Sequence, residues 1–119
     1  MATVNLDGFG HAEVEAVTGN KTLDEGDYGV VQNVTATATV TLPATVVGAS
    51  FVVRVGALGK TVTVAPAAAD KIMGNGFTSA DNKALIFTNQ PAGSYVKLVA
   101  DGVNGYMVQQ ILGTATRAA

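Results

Sequence analysis

The residues able to do chemistry are few in this chain, and their spacing is uncooperative. Its one histidine stands in His11-Ala12-Glu13-Val14-Glu15, close to two carboxylates. A zinc metalloprotease helix needs two histidines one turn apart, and a closed zinc site needs more nitrogen or sulfur ligands than one. The chain has no second histidine and no cysteine. His11 therefore reads as a solvated residue or a subunit contact. Asp24, Glu25 and Asp27 gather around Gly26. A calcium loop places several oxygen ligands on a longer fixed pattern, which is absent, so the cluster reads as a polar turn leading into Tyr28. Gly74-Asn75-Gly76 and the glycines at 102 and 105 are not phosphate loops: the first lacks a Lys-Ser/Thr ending, and neither runs from a strand into a helix. Asn20-Lys21-Thr22 and Asn33-Val34-Thr35 match the glycosylation triplet. Without a secretion signal they read as chance matches. Nucleophile, acid–base pair, metal and cofactor cradle are all missing as patterns. The expectation is a non-enzymatic protein with no cofactor and no metal.

The composition asks for a different kind of function. The 119 residues are 48% hydrophobic and only 13% charged, against about 25% charged in ordinary soluble domains. So few charges suit a surface that is partly covered by copies of itself or by a partner. The formal net charge is −2 and no basic run occurs, so phosphate-backbone binding has no electrostatic basis and no nucleic-acid partner is expected. No apolar run reaches the ~18 residues of a membrane span, and no membrane partner is expected. Residues 1–7 lack a basic stretch followed by an apolar one. The expectation is a protein made and assembled in a cytoplasm.

Those side chains have to be positioned by strands. Val, Thr, Ala and Gly dominate, and helical periodicity never lasts beyond about two turns. Residues 35–42 alternate strictly, with Thr35, Thr37, Thr39 and Thr41 on one face and Ala36, Ala38, Val40 and Leu42 on the other, until Pro43 stops the run. Residues 50–55 are nearly all apolar, which predicts a strand covered on both faces. Residues 61–65 alternate again and end at Pro66. Strands are also predicted at 27–31, 70–74 and 84–88. Residues 95–112 form a hairpin around Asp101-Gly102-Val103-Asn104-Gly105. About eight short strands between turn signals predict one all-β domain. It is an antiparallel β-sandwich or a jelly-roll-like small barrel over 20–112. An extended N-terminal arm covers 1–19 and a C-terminal tail 113–119. Two readings stand for these ends: arms that order on contact with a neighbour, or plain fraying.

Seven aromatics are Phe9, Tyr28, Phe51, Phe77, Phe87, Tyr95 and Tyr106. Most fall on predicted strands, where core packing is their default role. Phe9 and Phe77 lie in glycine-flanked irregular stretches and, with His11, are the candidate capsid or subunit contacts.

Two blocks carry a resemblance: Val40-Thr41-Leu42-Pro43-Ala44 followed by residues 48–55, then Val62-Thr63-Val64-Ala65-Pro66 followed by Asp70-Lys71-Ile72-Met73-Gly74. The ending at 93–99 and 101–108 completes it. In this order the pieces resemble small β-rich structural modules of tailed bacteriophages, over roughly residues 22–112. These modules occur as head decoration (cement) proteins and as domains of fibre proteins. The match departs at Tyr106, where family members often carry tryptophan. The resemblance implies a virion protein on the capsid surface whose partner is the major capsid protein. It also implies a symmetric homo-oligomer, with a trimer favoured over a dimer. A chain beginning with its own Met1 and showing no shaft favours decoration over fibre. The competing reading is a carbohydrate- or receptor-binding module using Tyr95 or Tyr106.

Overall fold

The computed structural model describes residues 13–74 and 82–118. Among these residues, eleven strands form two facing sheets: β1 (Val14–Val17), β2 (Lys21–Thr22), β3 (Val31–Val34), β4 (Ala38–Thr41), β5 (Ser50–Val55), β6 (Thr61–Ala65), β7 (Lys71–Met73), β8 (Leu85–Thr88), β9 (Tyr95–Ala100), β10 (Gly105–Leu112) and β11 (Thr116–Arg117). One sheet runs β1-β3-β5-β9-β10-β7 and the other β11-β8-β6-β4-β2. The fold is the expected all-β sandwich. Phe9, His11 and Phe77 lie outside the described residues.

The pairing corrects one part of the expectation. The β5–β9–β10 and β6–β8–β11 pairs are antiparallel. The β1–β3–β5 and β2–β4–β6 pairs are parallel. Three-residue corners at 18–20 and 35–37 carry the chain across to the opposite sheet instead of folding it back as a hairpin. Longer returns, 23–30 and 42–49, bring it home beside the strand it left. The first half is thus three stacked rungs, each made of one strand from either sheet. The second half closes the stack with the 95–112 hairpin. Residues 14–17, expected to lie in an arm, form the outermost strand of the first rung, and Val17 is buried. Residues 116–117 of the expected tail pair with β8.

Local chemistry explains the strand limits. The strand expected at 27–31 begins only at Val31, because Asp24 caps a short 3-10 turn, Glu25–Asp27, and Gly29 has φ +71°. The Asp24 carboxylate accepts from the Gly26 N–H at 2.9 Å, and the Asp27 carboxylate accepts from the Asp24 N–H at 3.0 Å. At the opposite corner, one oxygen of Asp101 accepts from the N–H groups of Val103, Asn104 and Gly105 at 2.8, 2.7 and 3.0 Å. Those three bonds hold the Asp101 carboxyl below the usual carboxylate range.

Between the sheets, side chains at alternate positions meet. Val17, Val34 and Val55 stack in one sheet, and Val40, Val64 and Leu85 in the other. Phe51 and Phe87 fill the middle. Burying each large apolar side chain contributes about 1.5–3 kcal/mol. The strand at 50–55 is not covered on both faces as expected: Phe51, Val53 and Val55 are buried, and the intervening residues are half-buried.

Candidate functional site

Two surfaces stand out, one polar and one apolar. The polar one closes the open end of the core at the first rung. Along the inner face of the larger sheet, Val53 is followed by Gln32 and then Glu15. Along the smaller sheet, Val64 is followed by Val40 and then Lys21. The last inward pair is therefore an ion pair, Glu15 with Lys21, where inner rungs carry apolar partners. The Lys21 Nζ also donates to Gln32 Oε1 at 2.9 Å and approaches Asp27 Oδ1 at 3.1 Å. Gln32, although fully buried, is satisfied by this network. An open pocket of about 510 Å³ faces the cluster, lined by Glu13, Glu15, Lys21, Asp24 and Asp27 among others. Terminal rungs of stacked-strand folds need such a polar outer face.

Burial works against the charged Asp27, but the Asp24 N–H and the Lys21 ammonium outweigh it and hold its pKa below the ordinary value. Burial likewise opposes the Lys21 charge, and the bonds to Glu15 and Asp27 outweigh that, so its pKa is raised. With a depressed folded pKa, the stability Asp27 contributes is present above the unfolded value of 3.8 and lost as pH falls through the folded one. Asp27→Asn should accordingly be less stable than wild type at neutral pH, and the gap should close in acid below that value. Urea midpoints at both pH values check this; a gap that stays constant contradicts it.

The apolar surface is the outer face of the larger sheet. Register places Val14, Val31 and Val52 in one row, which continues to Lys97 on β9. A second row holds Ser50, Val99, Met107 and Met73. A third holds Ala16, Asn33, Arg54, Tyr95 and Leu112. Val14 is 59% exposed, Met107 44% and Leu112 57%. The outer face of the smaller sheet differs in kind. There Thr22 pairs with Thr41, Thr39 with Thr63, and Thr61 with Thr88. Hydroxyls satisfy water, whereas the valine row of β1, β3 and β5 and the valine–methionine row of β9, β10 and β7, set apart by Ser50 and Lys97, gain by being covered. At the end where β5 and β10 begin, Tyr28, Val46, Val47 and Val103 add further exposed apolar surface.

The residues singled out for chemistry in the sequence fall into separate places. Asp24, Glu25 and Asp27 form the capped turn, as read. Asn20 accepts from the Thr39 N–H at 2.8 Å, and Asn33 accepts from Arg54. Tyr95 lies on the outer face, but Tyr106 is wholly buried and donates its hydroxyl to the Pro43 carbonyl at 2.9 Å. Burial, followed by the charges of Asp70 and Tyr28, pushes the Tyr106 phenol up to about 12. The two tyrosines therefore do not share a surface. Sequence reading missed the valine–methionine face. The signal available was the apolar half of each alternation, once the partner strands are known.

Set against family models, curated proteins and solved structures, the chain matches none of them.

Proposed function

We propose that this chain is a non-enzymatic virion structural protein that binds the outer capsid surface and reinforces the head, a decoration protein of a tailed bacteriophage. The observation carrying the reading is the asymmetry of the sandwich: one outer face is threonine-rich and the other presents valine and methionine. The resemblance over residues 22–112 supplies the biological setting. In this reading the valine–methionine face lies on the major capsid protein, after assembly in the host cytoplasm. A rigid β module that bridges subunit boundaries stabilises the shell because it binds the assembled state alone. Repetition over a symmetric lattice makes modest contacts act together.

Co-sedimentation of the purified chain with bare phage heads, with bound copies counted, tests the proposal. Saturation at a number matching a set of lattice symmetry positions is the expected result. An absence of binding overturns it. Glycan binding near Tyr95, which is flanked in its row by Arg54, would instead support a fibre-associated or carbohydrate-binding module.

A further inference from the structure

We propose that Asn104 is a deamidation site that the folded turn holds closed and that opens when β10 parts from β7. The inference does not depend on the capsid reading. It rests on an Asn-Gly pair, Asn104-Gly105, at an exposed corner, and on how the backbone groups of that pair are bonded.

The reaction is intramolecular. The Gly105 nitrogen loses its proton and attacks the carbonyl carbon of the Asn104 side chain. The bond from that carbon to Nδ2 breaks, ammonia leaves with the proton, and a cyclic imide remains. Water then opens the imide at either carbonyl, giving aspartate or isoaspartate, so an amide becomes a carboxylate. A glycine after the asparagine favours the attack because no Cβ hinders the nitrogen. Asn104 is exposed, so water reaches the imide.

The fold opposes each step. The Gly105 N–H donates to Asp101 Oδ1 at 3.0 Å, and an anion at that distance disfavours the nitrogen anion that must attack. The Asn104 carboxamide donates to the same carboxylate, which holds the leaving nitrogen in place. Attack also needs the peptide between Asn104 and Gly105 to rotate. The Asn104 carbonyl accepts from the Lys71 N–H at 2.9 Å, and the Gly105 carbonyl accepts from the Asp101 N–H at 2.9 Å and the Thr45 hydroxyl at 2.8 Å. Rotation breaks these bonds together, so the reaction waits on local opening of the turn. Isoaspartate then routes the main chain through the former side chain and adds a carbon before Gly105. Gly105 pairs with Lys71, whose backbone leaves no room there even for a Cβ. The longer link keeps that pairing from forming again, so an opening event is recorded in the chain.

Peptide mapping by mass spectrometry tests this on the full chain, incubated in mildly alkaline buffer with and without guanidinium chloride. In the denaturant, Asn104 should deamidate at a rate close to that of Asn75, which also precedes a glycine. In native buffer Asn104 should react at least about a hundredfold more slowly than in the denaturant. Asp101→Ala should raise the native rate at Asn104 by at least about tenfold, and Thr45→Val by a smaller factor. Circular dichroism checks that the variants are folded during incubation, and Thr45→Val carries the test if Asp101→Ala does not fold. Chains with isoaspartate at 104, separated and refolded, should unfold at a lower denaturant midpoint than unreacted chains. A native rate equal to the denatured one, folded variants that react no faster than wild type, or an unchanged midpoint overturns the proposal.

Discussion

Gly105→Ala should destabilise the protein by about 3 kcal/mol or more, read as a drop in the denaturant midpoint. Gly105 opens β10 with φ +145°, a conformation that L side chains rarely adopt. A Cβ built there would lie 2.2 Å from the Lys71 carbonyl oxygen and 2.5 Å from the Lys71 nitrogen. Both are backbone atoms of the paired strand β7, so neither can swing aside. The same residue is tied down by three bonds: its N–H to Asp101, its carbonyl to the Asp101 N–H at 2.9 Å, and its carbonyl to the Thr45 hydroxyl at 2.8 Å. Relief requires β7 to part from β10. Gly48→Ala is the control, because Gly48 also has positive φ (+83°) but nothing lies within 4 Å of its added Cβ. It should cost only about 1–2 kcal/mol. Equal effects at the two positions would show that the close approach of β7 is not what fixes Gly105.

Phe51→Ala should cost about 3–5 kcal/mol. Its ring is fully buried and sits between two other aromatics. Tyr28 meets it edge-on at 5.4 Å and Tyr106 is tilted against it at 5.9 Å. Truncation removes the transfer free energy of the ring and leaves a cavity that rigid parallel rungs cannot collapse around. It also frees Tyr28, the half-exposed member of the trio, which links the core to the apolar loop end. Thermal or urea unfolding measures the loss; less than about 1 kcal/mol would mean that the aromatic trio is not part of the cooperative core.

How the chain folds was partly written in its alternation. Residues 38–41 and 61–65 show the buried-in, half-exposed-out rhythm that their sequence implies; residues 50–55 show it too, although their apolar run was read as covered on both faces. The 95–112 hairpin follows from Asp101 and its glycines, which act locally. Strand partners were not legible. A period of two fixes the face of Val40 or Val64 but not whether its neighbour runs parallel, and three-residue corners leave the choice between hairpin and crossover to the core as a whole. The 3-10 turn shortened the expected strand at 27–31 because the N–H groups of Asp27, Tyr28 and Val30 bond to the Asp24, Glu25 and Asp27 carbonyls and not to a partner strand. The polar plug was hidden for a related reason. Glu15, Lys21, Asp27 and Gln32 converge only once β1 and β2 are stacked as a terminal rung, and nothing local marks that. The valine–methionine face likewise joins residues from six strands and becomes visible only in register.

The most direct test of the docking face compares two surface reversals for binding to bare phage heads. Val52→Lys with Met107→Lys places charge on the valine–methionine face, and Thr39→Lys with Thr63→Lys places it on the threonine face. The first pair should abolish co-sedimentation, while the second should leave the bound stoichiometry near that of wild type, both proteins remaining folded. Loss of binding only when the threonine face is altered would contradict it.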